Sequence, residues 1–154
     1  MNLHVAWNRP VRLKEGPKKG SIYVIDLEKL PKSAGVYVMA RKWGTGGHEA
    51  LYVGMANNLR GRIKGQLNNL KLMLHVRHAQ GGRRVILTGE IKTRPGQQTR
   101  TCLPIIERAL IRYFLSEGHN LVNKSGTKLR GHEVHSVGKH PKRFFPKKMY
   151  VELR

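Results

Sequence analysis

Glu107, and the basic group Arg60, Arg62 and Lys64, are the residues whose types could do chemistry together. Around Glu107 the residues Ile105, Ile106, Ala109, Leu110, Tyr113 and Phe114 recur as a broad apolar helical face, with Arg108 and Arg112 opposite. At about 100° per residue, Glu107 falls at the margin of that face, one turn before Leu110 and Ile111 and two before Phe114, so its carboxylate is partly desolvated. A hard oxygen donor fixed on a helix suits Mg²⁺ or Mn²⁺, with water and a substrate phosphate completing the shell. Arg62 sits at the edge of a second helical stripe, Leu59, Ile63, Leu67 and Leu70. Its planar, permanently charged fork matches two phosphate oxygens, although Arg60 and Lys64 share the short helix and suit backbone contacts equally well. Phosphodiester hydrolysis needs such a set: an oriented water, a destination for its proton, and positive charge for the phosphorus-bound oxygens.

Other residues suggest other chemistry. Glu90-Ile91-Lys92 has the ExK spacing of the PD-(D/E)xK nucleases, but the earlier aspartate they require has to be Asp26, the only one in the chain, which no proline precedes. His132, His135 and His140 hint at zinc, yet HEVH lacks the HExxH spacing and no cysteine stands near, so they read as surface residues. His75 and His78, in LHVRH, are candidate bases or phosphate contacts within a basic segment. Cys102 is the only cysteine and forms neither an internal disulfide nor a zinc cluster.

The elements that position these residues are legible in outline. Residues 1 to 20, with Pro10, Gly16, Pro17 and Gly20, read as an irregular basic arm. From Ser21 the pattern turns β-like, and Val36–Arg41 is expected to pair with Ala50–Gly54 across the turn WGTGGH. Asn57 or Asn58 caps a helix, and Arg83–Lys92 (RRVILTGEIK) forms another strand. A second helix begins near Thr101 with Pro104 in its first turn and stops at Gly118. Residues 21–123 form the domain, and 124–154 add a basic extension carrying a strand or serving as a tail.

In order, the chain presents Gly35-Val36-Tyr37, Tyr52-Val53-Gly54, Asn58-Leu59 with Arg62, Glu107 followed by Leu110-Ile111, and Asn123. This succession resembles the GIY-YIG nuclease family over Pro31 to Asn123, about three-fifths of the chain. The resemblance implies an α+β fold, a small central antiparallel sheet flanked by helices, with one divalent metal and hydrolysis of nucleic-acid phosphodiesters. It implies that Glu107 holds Mg²⁺ or Mn²⁺, that Arg62 stabilises the pentacovalent transition state, and that Tyr37 and Tyr52 lie in the active site, Tyr37 being the preferred general base. Asn123, or alternatively Asn120, supports the site by hydrogen bonds. A phenol near pKa ~10 is a poor base, so neighbouring positive charge has to bring it into range. Two positions depart from the family pattern: Met55 where many members carry Lys, and Gln66 where they carry His or Tyr. His75 is the nearest replacement for the latter.

Thirty Lys and Arg against nine Asp and Glu leave a net charge of +21, which calls for a polyanionic partner. Neither an amphipathic basic anchor, nor a signal peptide in residues 1–19, nor a run of roughly 18 apolar residues is present, which points to a cytoplasmic protein. Arg60, Lys64, Arg77, Arg83 and Arg84 are candidate nucleic-acid contacts. Only 6% aromatic residues offer few stacking platforms, favouring duplex DNA over RNA. Cutting both strands at a specific sequence implies a homodimer. Charge alone equally suits a non-catalytic nucleic-acid-binding or ribosome-associated protein.

Overall fold

A computed structural model describes residues 1–17, 20–44, 46–79, 81–122, 131–139 and 145–152. Four short strands come first: β1 (His4–Trp7), β2 (Val11–Arg12), β3 (Lys14–Glu15) and β4 (Tyr23–Val24), followed by a 3-10 turn at Leu27–Lys29. The long elements are β5 (Gly35–Lys42), β6 (His48–Ala56), α1 (Leu59–Gln66), α2 (Leu70–His78), β7 (Arg83–Lys92) and α3 (Thr99–Ser116), with β8 (Gly131–His135) and β9 (Lys148–Glu152) pairing as a hairpin.

β5 is the central strand because both its faces are apolar. Val36, Val38 and Ala40 point one way, Tyr37 and Met39 the other, and all five are buried. It pairs antiparallel with β6 on one side, Tyr37 opposite Gly54, and with β7 on the other, Tyr37 opposite Thr88. A register shift between Met39 and Ala40 sends Leu51 to the Tyr37 face while Ala50 and Val53 face the other layer. The 1–20 segment is not an irregular arm: β1 and β2 both pair with the far edge of β7, Ala6 opposite Glu90 and Val11 opposite Ile86, and β3 pairs with β4. Among the described strands β6 is the last of the sheet on the opposite side.

Helices cover both faces. Leu59 and Ile63 of α1 and Leu72, Met73 and Val76 of α2 pack on Tyr37, Met39 and Leu51. Leu103, Ile106, Ile111 and Leu115 of α3 pack on Val36, Val38, Val53 and Val85. The stripe expected to form one helix is divided: α1 ends at Gln66, and Asn69, in an extended conformation, caps α2 by accepting the Leu72 N–H. Helix α3 starts at Thr99, where the Gln98 carbonyl accepts from the Thr101 and Cys102 N–H groups, so Pro104 lies inside it rather than in its first turn.

Its buried arc also differs from expectation. Ile105, Ala109 and Tyr113 are exposed, the first and last by 44% and 57%, while Cys102, Leu103, Ile106, Ile111 and Leu115 face inward. Glu107 therefore stands near the middle of the inward arc, between Leu103 one turn before and Leu110 and Ile111 one turn after, and not at its margin.

Candidate active site

The two tyrosines come from adjacent strands. Tyr37 on β5 is fully buried, and its ring crosses the backbone of β6 at Gly54. A Cβ at Gly54 would lie 2.5 Å from the Tyr37 hydroxyl oxygen and 2.7 Å from Cε1, so glycine is what lets the ring reach the strand edge. Tyr52 on β6 lies on the same face, its ring centroid 6.0 Å away and tilted by 37°.

Arg62 and Glu107 reach this place from opposite layers. The start of α1 is pinned beneath the entry to β5: Asn58 accepts the Gly61 N–H at 3.0 Å, and the Leu59 and Arg60 N–H groups donate to the Ser33 and Pro31 carbonyls. Arg62 is thereby held one turn in, close enough to Tyr37 for its positive charge to favour the ionised phenol. The same guanidinium acts on Glu107 of α3. Since α1 and α3 cover opposite faces of the sheet, the guanidinium and the carboxylate come from different layers, within range for the charge of one to act on the other.

Burial dominates the ionisation of both acids. The Tyr37 phenol is pushed well above its ordinary range by desolvation and then by Tyr52, with Gln66 and Arg62 pulling the other way. Arg62 by itself returns less than the buried ring loses in hydration; the sequence-based expectation rests on a metal together with arginines, and the charge of a cation is a further pull toward the phenolate. Desolvation likewise raises the Glu107 carboxyl, against the opposing pull of Arg62.

Gln66, expected only as a departure from a pattern, belongs to the site. It is buried at the end of α1, and its Nε2 donates to the Tyr37 hydroxyl at 3.0 Å and to the Tyr52 hydroxyl at 3.3 Å. The sequence held a signal for this: Leu59, Ile63 and Gln66 share one helical face, and a glutamine on an apolar stripe needs buried partners.

The remaining candidates go elsewhere. His75 donates from Nε2 to the Asn120 carbonyl at 3.2 Å and lines a cavity with Arg41, Glu49 and His78. Leu51, which packs with Tyr37, lines the same cavity, and the hydrogen bond of the His75 ring goes to Asn120 and not to either tyrosine. Asn120 shares that cavity, and Asn123 lies outside the described residues. Arg84 is a structural staple: Nε donates to Val76, Nη1 to Gly81 and Gly82, and Nη2 to Ala79 and Arg77, all through carbonyls that end α2 and its loop. Arg60 turns back to the Leu30 carbonyl at 2.9 Å and to Glu28. Neither guanidinium is presented outward as a nucleic-acid contact, whereas Lys64, Arg77 and Arg83 are exposed.

On the alternative ExK strand, Glu90 accepts from the Ser33 hydroxyl at 2.5 Å, which with Asn8 lowers its pKa, and Asp26 caps the 3-10 turn by accepting from Glu28. His132 and His135 are exposed on β8, and His140 lies outside the described residues. Among the described residues no three His, Cys, Asp or Glu side chains cluster to hold a metal. No described helix is long and apolar enough to cross a membrane.

The fold is thus α+β, a mostly antiparallel sheet with three α-helices, with a polar site at one sheet edge. Comparison with protein-family models, curated proteins and solved structures finds no match for the chain.

Proposed function

We propose that the protein is a metal-dependent endonuclease of GIY-YIG type that hydrolyses DNA phosphodiester bonds. One observation carries the reading: the charge of Arg62 acts on Tyr37 and on Glu107 at once, so a phenol, a guanidinium and a carboxylate from three elements lie within electrostatic range of one another. A structural tyrosine or a solvated arginine has no need of such company, and a carboxylate near the middle of a helix's inward face costs stability unless something uses it.

The residues fit a single divalent cation. Glu107 supplies one hard, half-buried oxygen donor, and Mg²⁺ or Mn²⁺ keeps water and takes phosphate in its other positions. Bound there, the cation supplies Lewis-acid stabilisation of charge on the phosphate oxygens. Arg62, one turn into α1, adds a second positive group for the same oxygens. Tyr37 is neutral in the free protein, so it can accept a reacting water's proton only after giving up its own, and it serves as the base only where added positive charge in the site stabilises its phenolate. Tyr52 shares its amide donor and holds the second side of the pair. Lys64, Arg77, Arg83 and the overall charge of +21 supply binding independent of sequence.

The test is relaxation of supercoiled plasmid with Mg²⁺ by wild type, Glu107→Ala and Glu90→Ala, with an EDTA control and binding measured in parallel. Loss of cutting in Glu107→Ala alone, with binding kept, supports the reading. Loss in Glu90→Ala alone moves the chemistry to the ExK strand, and binding without cutting by any of the three favours a nucleic-acid-binding protein.

A further inference from the structure

Asn69 fixes more than the start of α2. Its Oδ1 accepts the Leu72 N–H at 3.1 Å, which turns Nδ2 away from the helix and toward Gln66 Oε1, to which it donates at 3.3 Å. With Oε1 occupied, the Gln66 amide presents Nε2 to the tyrosines, one N–H toward Tyr37 at 3.0 Å and the other toward Tyr52 at 3.3 Å. Both amide protons are then committed, and at 7% exposure Gln66 has little recourse to water. The helix cap therefore dictates the polarity of hydrogen bonding two residues away: both phenol oxygens accept, and neither phenol proton is held by the side chains behind it. Were the amide turned over, Oε1 would face the hydroxyls and claim their protons.

We propose that Asn69 and Gln66 form a positioning relay that keeps the oxygens of Tyr37 and Tyr52 as hydrogen-bond acceptors and their protons directed toward the substrate side of the site. The inference rests on the nuclease reading and deepens it. A neutral amide exchanges no proton, so the relay orients the phenols without acting as an acid or base.

Asn69→Asp separates capping from this role. Aspartate caps a helix as well as asparagine does, but it replaces the Nδ2 donor by an oxygen, which draws the Gln66 N–H and turns the amide over. Asn68→Asp, at the exposed neighbouring position, adds the same charge without touching Gln66. The three proteins are compared for Mg²⁺-dependent plasmid cleavage, DNA affinity and melting temperature. Side-chain amide ¹⁵N NMR of the wild type, with Gln66→Leu for assignment and Tyr37→Phe as a probe, reads the hydrogen bonds directly.

The expected result is a fall in kcat of at least about tenfold for Asn69→Asp relative to Asn68→Asp, with equal affinity and melting temperature. The Gln66 N–H signals should exchange slowly in the wild type and shift in Tyr37→Phe. Equal cutting by the two Asp variants overturns the relay, as do Gln66 signals that exchange as fast as those of exposed Gln98 and ignore Tyr37→Phe. If the wild type cuts neither DNA nor structured RNA, the nuclease reading fails and the relay's catalytic role with it. The NMR measurement still decides whether the hydrogen bonds exist, which tells the two failures apart.

Discussion

Gly54 and Glu107 show how single atoms set this site. An alanine at Gly54 places its Cβ inside the space of the Tyr37 ring, and the ring, packed under α1 and α2, has nowhere to go but away from the edge. Gly54→Ala is expected to lose cleavage while costing about 1–3 kcal/mol of stability, the usual cost of overpacking, as read from urea midpoints. Glu107 makes the opposite demand. Its folded pKa is raised by burial, so the fold favours the protonated carboxyl: that contribution is complete below the unfolded pKa and is lost as pH rises through the folded value. Glu107→Gln is therefore expected to melt higher than wild type at neutral pH without metal, with the difference vanishing near pH 4 as the wild-type carboxyl takes up its proton. A wild type that melts as high at both pH values contradicts it. At this scale the resemblance in order and spacing is what marks Tyr37, Tyr52, Arg62 and Glu107 in the sequence, and the structure sets the two tyrosines side by side with the charge of Arg62 acting on both Tyr37 and Glu107. Gln66 and Asn69 escape because their roles depend on which way an amide faces, and that is settled by a cap and two hydroxyls brought from elsewhere in the chain.

At the level of elements, the run RRVILTGEIK becomes β7 with the bounds its composition suggests, and Asn58 caps α1 as expected, because both signals are local. The 1–20 segment is misread because β1 and β2 are stabilised by pairing with β7, some 80 residues later, and short strands of that kind carry little pattern of their own. Arg84 is misread for a related reason: its partners are carbonyls left open where α2 ends, invisible until the helix ends there. Arg84→Ala is expected to lower stability by about 2–3 kcal/mol, since it strands several carbonyls, and to leave the salt dependence of DNA binding unchanged. Lys64→Ala should do the reverse, with stability unchanged and the salt slope reduced by about one. Equal effects of both on the slope would return Arg84 to the binding surface.

His119, just past α3, ties that helix to β6: the Ala50 N–H donates to its Nδ1 at 2.7 Å. Burial holds its pKa below the ordinary histidine value, against the pull of Glu49 and Glu117. The neutral ring is the form the fold keeps, so this contribution is complete above about pH 6.5 and is lost as pH falls through the folded pKa. Wild type should lose melting temperature on acidification through that window more steeply than His119→Asn, whose amide oxygen accepts the same N–H without titrating. Parallel profiles would exclude the histidine.

For the molecule as a whole, one sheet is covered by α1 and α2 on one face and by α3 on the other, and the charge of Arg62 on α1 still reaches Glu107 on α3. On the nuclease proposal, the net charge of +21 draws a polyanion to the surface and the site holding Arg62 and Glu107 acts on it. The central claim is that Arg62 and Glu107 act as parts of one site on a scissile phosphate, and a double-mutant cycle on single-turnover cleavage tests it most directly. Arg62→Met, Glu107→Gln and the double variant are compared at saturating protein, where differences in binding drop out. The expected result is strong non-additivity, the double variant cutting no more than about threefold slower than the slower single variant. Two losses that simply multiply would mean that the guanidinium and the carboxylate act independently, and the site as described would be wrong.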